Sequence, residues 1–98
     1  MFEIRLGTEG EVLMSGRLDA AQCDKALQFL ERVASPRVVD LSALEYISSA
    51  GLGVLLKTQK RAMATGAGLR LVHVNRHIRD IFRYAGFDKI FEIVPAAE

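Results

Sequence analysis

Hydrophobic and polar residues alternate over residues 2–6, where Phe2, Ile4 and Leu6 fall on one side of an extended chain. This period of two residues is typical of a β-strand with one solvated face. The glycine-containing turn GTEG follows, and residues 11–15 continue as an extended segment. The pattern therefore predicts that the chain opens with a β-hairpin.

Three later segments carry apolar residues at the spacing that is typical of amphipathic helices. The first follows Asp19, a candidate helix cap, and stops before Pro36. The second covers roughly residues 50–64. The third follows the candidate cap Asn75 and ends near Gly86, a residue suited to a left-handed turn at a helix end. The chain is thus expected to contain three helices.

Short apolar runs separate these helices and predict the remaining strands. Residues 37–41 belong to a short β-branched run, residues 69–74 predict the next strand, and KIFEIV predicts a short edge strand near the end. The resulting order, ββαβαβα(β), calls for right-handed crossovers. We expect an α/β fold with a mixed, largely parallel sheet of four to five strands, an N-terminal hairpin and three or more helices. Residues 42–48 should form the longest loop, at the functional edge of such a sheet.

Length and composition narrow the class of protein. The 98 residues suit a single domain over residues 1–98, and 13 basic against 12 acidic side chains create no basic field for nucleic acid. No run of about 18 apolar residues is present, so we expect no membrane insertion. The first residues lack the apolar core of a signal peptide. Because Cys23 is the single cysteine, no internal disulfide can form, and we expect a cytoplasmic protein.

The sequence contains no recognisable catalytic or metal-binding motif. The stretch SSAGLG lacks the lysine and the spacing of a phosphate-binding P-loop. His73 and His77 have no cysteine or acidic partner at the spacing of metal ligands. We therefore expect a binding module, with no metal, no cofactor and no catalytic residues.

The sequence YISSAGLGVLL, residues 46–56, is unusual for a helix start. Gly51 and Gly53 each weaken a helix by about 1 kcal/mol relative to alanine, so small residues must serve another purpose here. One interpretation makes Ser48 or Ser49 an ordinary N-cap. The other makes Ser49 a phosphorylation site, because a helix N-terminus tolerates a dianion while the surface changes sharply.

Three stretches of the chain resemble the STAS domains of bacterial anti-sigma factor antagonists. VVDLSALEYISSAGLGVLL is similar to the family signature, in which a strand ending in Asp-Leu leads through a serine-rich turn into a Gly-Leu-Gly helix. SGRLDAAQCDKA resembles the family's first strand-to-helix segment, and GAGLRLVHVNRHIRDIFRYAGFDKIFEI resembles its closing strand, helix and turn. The resemblance extends over nearly the whole chain and implies a STAS-type α/β fold.

The resemblance also implies a regulatory cycle. In the family, the phosphorylated serine lies two residues before the first glycine of Gly-Leu-Gly, a position held here by Ser49. The unmodified protein would bind an anti-sigma factor with serine kinase activity, phosphorylation would release it, and a PP2C-type phosphatase would reset the cycle. Many family members have aspartate where this chain has Ser48, so Ser48 stays open as a less favoured acceptor.

The residues expected to bind the partner lie on this turn or on segments expected beside it. They are Asp19, Tyr46, Ser48, Ser49, Ala50, Gly51, Leu52 and Gly53. An alternative exists within the same family, because STAS domains also occur as subunits of lipid-transport ABC systems and as stress-signalling scaffolds. Such a protein would dock through the same helix start without a phosphate.

Overall fold

The strands of the sheet follow one another in the order of the chain. The computed structural model describes residues 1–96, so the single domain expected over residues 1–98 includes two residues that lie outside the described part. Its strands and helices are β1 (Phe2–Leu6), β2 (Val12–Leu18), α1 (Cys23–Arg32), β3 (Val38–Ile47), α2 (Ser49–Thr65), β4 (Arg70–Val74), α3 (Arg76–Tyr84) and β5 (Glu92–Pro95). The five strands form one sheet in the order β1-β2-β3-β4-β5. β1 runs antiparallel to β2, and the other neighbouring pairs are parallel, which confirms the expected α/β class.

This strand order places the helices on one face of the sheet, because consecutive right-handed crossovers all pass over the same side. Val12, Val39 and Leu71 are in register across three strands and are fully buried on that face. Leu55 of α2 and Phe82 of α3 belong to the same buried cluster. The core is therefore a single layer of apolar side chains between the sheet and its helices.

The opposite face of the sheet carries the alternate residues of each strand. Arg5, Leu13, Asp40 and Val72 form a row across this face, and each is exposed or half-buried. Within residues 1–96 no helix covers this row, so the strand predicted at residues 37–41 is buried on one side only. Most parallel sheets are covered on both faces, which makes the open face a distinguishing feature of this fold.

The prediction of a loop over residues 42–48 is wrong, since β3 continues to Ile47. β3 stays paired with β2, but the pairing shifts register twice, each time with an extra residue in β3. As a result its buried residues Leu41, Leu44 and Ile47 are spaced by three positions. This spacing matches neither a regular strand nor a helix, and it concealed the second half of the strand.

β2 also extends further than residues 11–15. Its Gly16 has a φ of +83°, and a Cβ atom at this position would lie 1.8 Å from the Met1 carbonyl oxygen. The glycine therefore allows the start of the chain to approach β2 closely, and the strand continues beyond it to Leu18. Two predictions near the other end of the chain are confirmed. Asn75 caps α3, and Gly86 adopts the left-handed conformation.

Candidate partner-binding site at the start of α2

The carboxyl ends of β2 and β3 lie side by side and hold the start of α2. Leu18 and Ile47, the last residues of the two strands, are paired in register and buried. The Ser48 N–H donates to the carbonyl oxygen of Leu18 over 3.0 Å. The turn from strand to helix is therefore anchored to the neighbouring strand.

Ser48 is the N-cap of α2, as one interpretation predicted. Its hydroxyl oxygen accepts the Gly51 N–H at 3.1 Å, and its hydroxyl donates to the Leu18 carbonyl at 3.2 Å. The side chain is half-buried. The proton of this hydroxyl is thus already engaged inside the fold.

Ser49 is the first residue of α2 and is exposed. Within residues 1–96 its hydroxyl makes no hydrogen bond, and the first turn of α2 contains no acidic residue. The first N–H groups of a helix lack intrahelical acceptors and carry partial positive charge. The turn therefore presents a free hydroxyl beside a site that favours negative charge.

The two glycines of the turn differ in their surroundings. Gly51 is buried, and a Cβ atom there would lie 2.8 Å from Ile47 and 2.9 Å from the Leu18 carbonyl oxygen. A Cβ atom at Gly53 would meet no atom of residues 1–96 within 4 Å. The expectation that Gly51 faces a partner is therefore wrong, because this glycine allows α2 to pack closely on β2 and β3.

Four residues of the first turns form an uncharged patch, which we call the α2 turn surface. Ser49, Ala50 and Gly53 are exposed, and Leu52 is half-buried against the core. Residues three and four positions apart are neighbours on a helix, which places Ser49 beside Leu52 and Gly53. An uncharged area therefore adjoins the free hydroxyl.

Asp19 directly follows β2, but it does not cap α1 with its side chain. The chain forms a 3₁₀ turn at Ala20–Gln22 before α1, and the Asp19 carboxylate makes no capping hydrogen bond. Its Oδ1 atom is buried and has no hydrogen-bond partner within the described residues. Asp19 thus keeps one unsatisfied acceptor near the end of β2, at the edge of the sheet where α2 begins.

The sequence pattern predicts a loop at Tyr46, but this residue lies in β3. It pairs in register with Arg17 of β2, and the Arg17 guanidinium lies 4.4 Å from the centre of the Tyr46 ring. This cation–π contact is on the open face, just before the turn. Sequence reasoning missed Arg17, because its role depends on the register between two strands.

Cys23 lies at the start of α1, and its Sγ donates to the Asp19 carbonyl oxygen at 3.3 Å. Burial raises the pKa of the Cys23 thiol, and the negative charges of Asp19 and Asp24 act in the same direction, while a hydrogen bond with Ser48 opposes them. The thiol is therefore neutral at neutral pH, and it behaves as a small packing residue.

Charged groups also lie outside the start of α2. His73 and Asp40 pair at 3.0 Å on the open face, away from the start of α2. Within residues 1–96 no group of three or more His, Cys, Asp or Glu residues is arranged to hold a metal ion. In the same part of the chain, none of the helices combines the length and apolar character needed to cross a bilayer.

A protein-family model described as "Mlab, STAS domain" matches residues 4–95. The chain belongs to the STAS-domain family. This confirms the resemblance inferred from the sequence motifs. BtrV of Bordetella bronchiseptica, named as a candidate anti-sigma factor antagonist, is 39% identical over 79 residues, which cover 81% of this STAS domain and 62% of BtrV. This chain thus spans less than two thirds of that relative.

Solved structures share the fold. The crystal structure of an anti-sigma factor antagonist from Mycobacterium paratuberculosis is 27% identical, with a TM-score of 0.81 over 97% of this STAS domain and 85% of that chain. The Bacillus cell fate determinant SpoIIAA, solved in its phosphorylated form, has a TM-score of 0.69 at 17% identity, over 100% of this chain and 93% of that one. The likeness to SpoIIAA concerns the fold alone.

Proposed function

We propose that this STAS domain is an anti-sigma factor antagonist whose binding is switched at Ser49. It is a cytoplasmic binding module with no enzymatic activity of its own. The unmodified α2 turn surface docks on an anti-sigma factor that has serine kinase activity. Phosphorylation of Ser49 by that partner breaks the complex, and a PP2C-type phosphatase restores the unmodified protein.

The observation that carries this proposal is the contrast between the two adjacent serines. The Ser48 hydroxyl is hydrogen-bonded on both sides within the fold, while the Ser49 hydroxyl is exposed and makes no hydrogen bond within residues 1–96. A kinase must reach the acceptor hydroxyl and remove its proton. Ser49 meets both requirements, which favours it over Ser48 as the acceptor.

A phosphate at Ser49 would leave the fold intact and change the surface. It adds close to two negative charges at a helix N-terminus, where the backbone N–H groups and the helix dipole favour them. No acidic residue of the first turn would repel it. The same charge on the α2 turn surface would oppose docking, because a partner would have to desolvate a dianion at an otherwise uncharged contact.

Asp19 supplies a polar anchor for the same partner. Its unsatisfied Oδ1 atom lies near the end of β2, whose last residue holds Ser48. The Oδ1 atom itself is buried, but Asp19 as a residue is only half-buried, so a cationic side chain of the partner would pair with the accessible part of this carboxylate. The proposed contact therefore combines the uncharged α2 turn surface with one carboxylate.

The names of the relatives support the class of partner. BtrV and the Mycobacterium protein are named as anti-sigma factor antagonists, and SpoIIAA has been solved in a phosphorylated form. We extend these properties to this chain because the free serine occupies the position that the sequence motif assigns to the acceptor. The PP2C-type phosphatase follows from the same family resemblance.

The proposal is tested by following phosphate and partner together. The protein is incubated with ATP and an extract of the bacterium that carries it, and its intact mass and peptides are measured. We expect one phosphate on the peptide containing Ser49, none on Ser49→Ala, and unchanged transfer to Ser35→Ala, which removes an exposed serine far from the turn. Equal labelling of Ser49→Ala would reject Ser49 as the acceptor.

Capture of the partner provides the second readout. The unmodified protein should retain an anti-sigma factor from the extract, and the fully phosphorylated protein should release it. Ser35→Ala again serves as the matched control. Retention of the same partner by both forms would contradict the switch even if Ser49 is phosphorylated.

A subunit of a lipid-transport ABC system, or a stress-signalling scaffold, is the second candidate function. The observation that favours it is the α2 turn surface itself, which is uncharged and suited to docking without any phosphate. In that case the protein would copurify with a membrane ATPase or a signalling assembly, and Ser49→Ala would bind like the natural chain.

A further inference from the structure

The outer edge of the sheet is formed by β1, which among residues 1–96 pairs with β2 on one side only. The Arg17 N–H donates to the Met1 carbonyl at 2.9 Å, and the Gly7 N–H donates to the Glu11 carbonyl at 2.7 Å. In an antiparallel pair, residues that bond to the neighbouring strand alternate with residues that do not. These two bonds therefore assign Glu3 and Arg5 to the bonded set.

It follows that the backbone N–H and C=O groups of Phe2, Ile4 and Leu6 point away from β2, in the plane of the sheet and past its free edge. Lys25 of α1 confirms this direction, because its Nζ donates to the outward Phe2 carbonyl at 3.2 Å. Within residues 1–96 no side chain covers Ile4 or Leu6 in the same way. The side chain of Leu6 is 51% exposed. This edge is therefore open and partly apolar, a combination that favours pairing with another strand.

We propose that β1 pairs antiparallel with β1 of a second copy of this chain, about a two-fold axis at Ile4. Phe2 then lies opposite Leu6 of the second copy, and Ile4 lies opposite Ile4. These pairs exchange the outward backbone hydrogen bonds, and the Phe2 carbonyl, which already accepts from Lys25, uses its second lone pair. The exposed Leu6 side chains gain cover on the helix side of the joined sheets.

Charge complementarity selects this register. Glu3 and Arg5 are exposed on the open face, and neither forms an ion pair within residues 1–96. In the proposed register Glu3 faces Arg5 of the second copy, and Arg5 faces Glu3. They occupy the closely spaced pairs of the new ladder, where Cα atoms lie about 4.5 Å apart. Opposite charges at such positions are favourable.

The neighbouring registers fail on the same criterion. A shift that places Phe2 opposite Ile4 also places Glu3 opposite Glu3, and a shift that places Ile4 opposite Leu6 places Arg5 opposite Arg5. Like charges directly opposite one another oppose pairing. The sequence FEIRL is therefore complementary to itself in a single antiparallel register.

The other edge of the sheet suits a second copy less well. β5 has four residues and ends in Pro95, which lacks an N–H group. Its Glu92 is already paired with Arg70 at 2.8 Å. The dimer is thus specific to β1. A contact of one short strand falls below the area of stable interfaces, so we expect a weak, concentration-dependent dimer. The start of α2 takes no part in it.

Charge exchange tests the proposal directly. Sedimentation equilibrium of the full chain at concentrations up to about 1 mM should show a reversible dimer. Glu3→Arg and Arg5→Glu should each weaken it by about tenfold, because each creates two like-charged pairs. An equal mixture of the two variants should regain the natural affinity as a heterodimer, and so should the double variant. A monomeric natural chain at every concentration, or undiminished dimerisation of the single variants, would overturn the proposal.

Amide exchange of the natural chain gives a check that does not depend on variants. The Ile4 N–H should exchange more slowly as concentration rises, because it becomes hydrogen-bonded in the dimer. The Glu3 N–H, which already bonds within the sheet, should change much less. Equal behaviour of the two amides would count against pairing through this edge.

Discussion

The starts of α2 and α3 use the same capping arrangement. Ser48 accepts the Gly51 N–H and donates to the Leu18 carbonyl, and Asn75 accepts the Ile78 N–H at 3.0 Å and donates to the Leu44 carbonyl at 2.9 Å. In both cases one side chain satisfies the helix start and ties it to a neighbouring strand. The anchoring of the two helices is therefore equivalent.

What differs is the first turn that follows each cap. α3 begins with Arg76 and His77, and its third residue, Ile78, is a fully buried core residue. α2 begins with Ser49 and Ala50, and its third residue is glycine. Since capping is the same, the small and uncharged residues of α2 are not needed to start a helix. They bring α2 close to the sheet and leave its outer side accessible.

The largest effect that tests this contrast is expected from Gly51→Ala. A methyl group would come within 3 Å of Ile47 and of the Leu18 carbonyl, so α2 would have to move outward. Overpacking of this kind costs about 1–3 kcal/mol of unfolding free energy, to be measured by denaturant titration. A stability equal to that of the natural protein would mean that α2 is not held closely to the strands.

Removal of the two caps should cost the protein similar amounts. Ser48→Ala and Asn75→Ala each remove a helix cap and a hydrogen bond to a strand, and each should lower the unfolding free energy by about 1 kcal/mol. Ser48→Thr is the matched control, because threonine also caps helices. If only Asn75→Ala lowered the unfolding free energy, the two helix starts would not be anchored equally.

Gly53→Ala should have the opposite sign to Gly51→Ala. Its new methyl group meets no atom of the described residues within 4 Å, and alanine favours the helix over glycine by about 0.5–1 kcal/mol. We therefore expect a small rise in the unfolding free energy, with weaker capture of the partner if the α2 turn surface docks. A destabilised Gly53→Ala would show that this side of the helix is occupied within the fold.

The features that were predicted from sequence depend on neighbours along the chain. The alternation of β1, the cap Asn75 and the left-handed Gly86 all express local backbone preferences. The sequence names Ser48 and Ser49 as the two possible caps but does not decide between them. Ser48 is held in place by a hydrogen bond to the Leu18 carbonyl, which belongs to a strand thirty residues earlier.

The errors arose where contacts between distant segments override local pattern. The second half of β3 is a strand because β2 runs beside it, with register shifts that no sequence period describes. Gly51 was expected on the partner surface, but its packing against Ile47 and Leu18 gives it a structural role. The open face of the sheet likewise follows from strand order, which sequence reasoning left undetermined.

The smallest expected effect concerns charge at the two helix starts. Ser49→Asp and Arg76→Asp place a carboxylate at the first residue of α2 and of α3, where it interacts favourably with the helix dipole. We expect each to raise the unfolding free energy by about 0.3–1 kcal/mol at low salt. The gain in unfolding free energy should fade toward 1 M salt, where the screening length is about 3 Å.

Of the two variants, only Ser49→Asp should weaken capture of the partner, because only that residue lies on the α2 turn surface. A loss of several kcal/mol in Ser49→Asp would instead identify Ser49 as a structural residue, and the difference between the two helix starts would then no longer explain a switch.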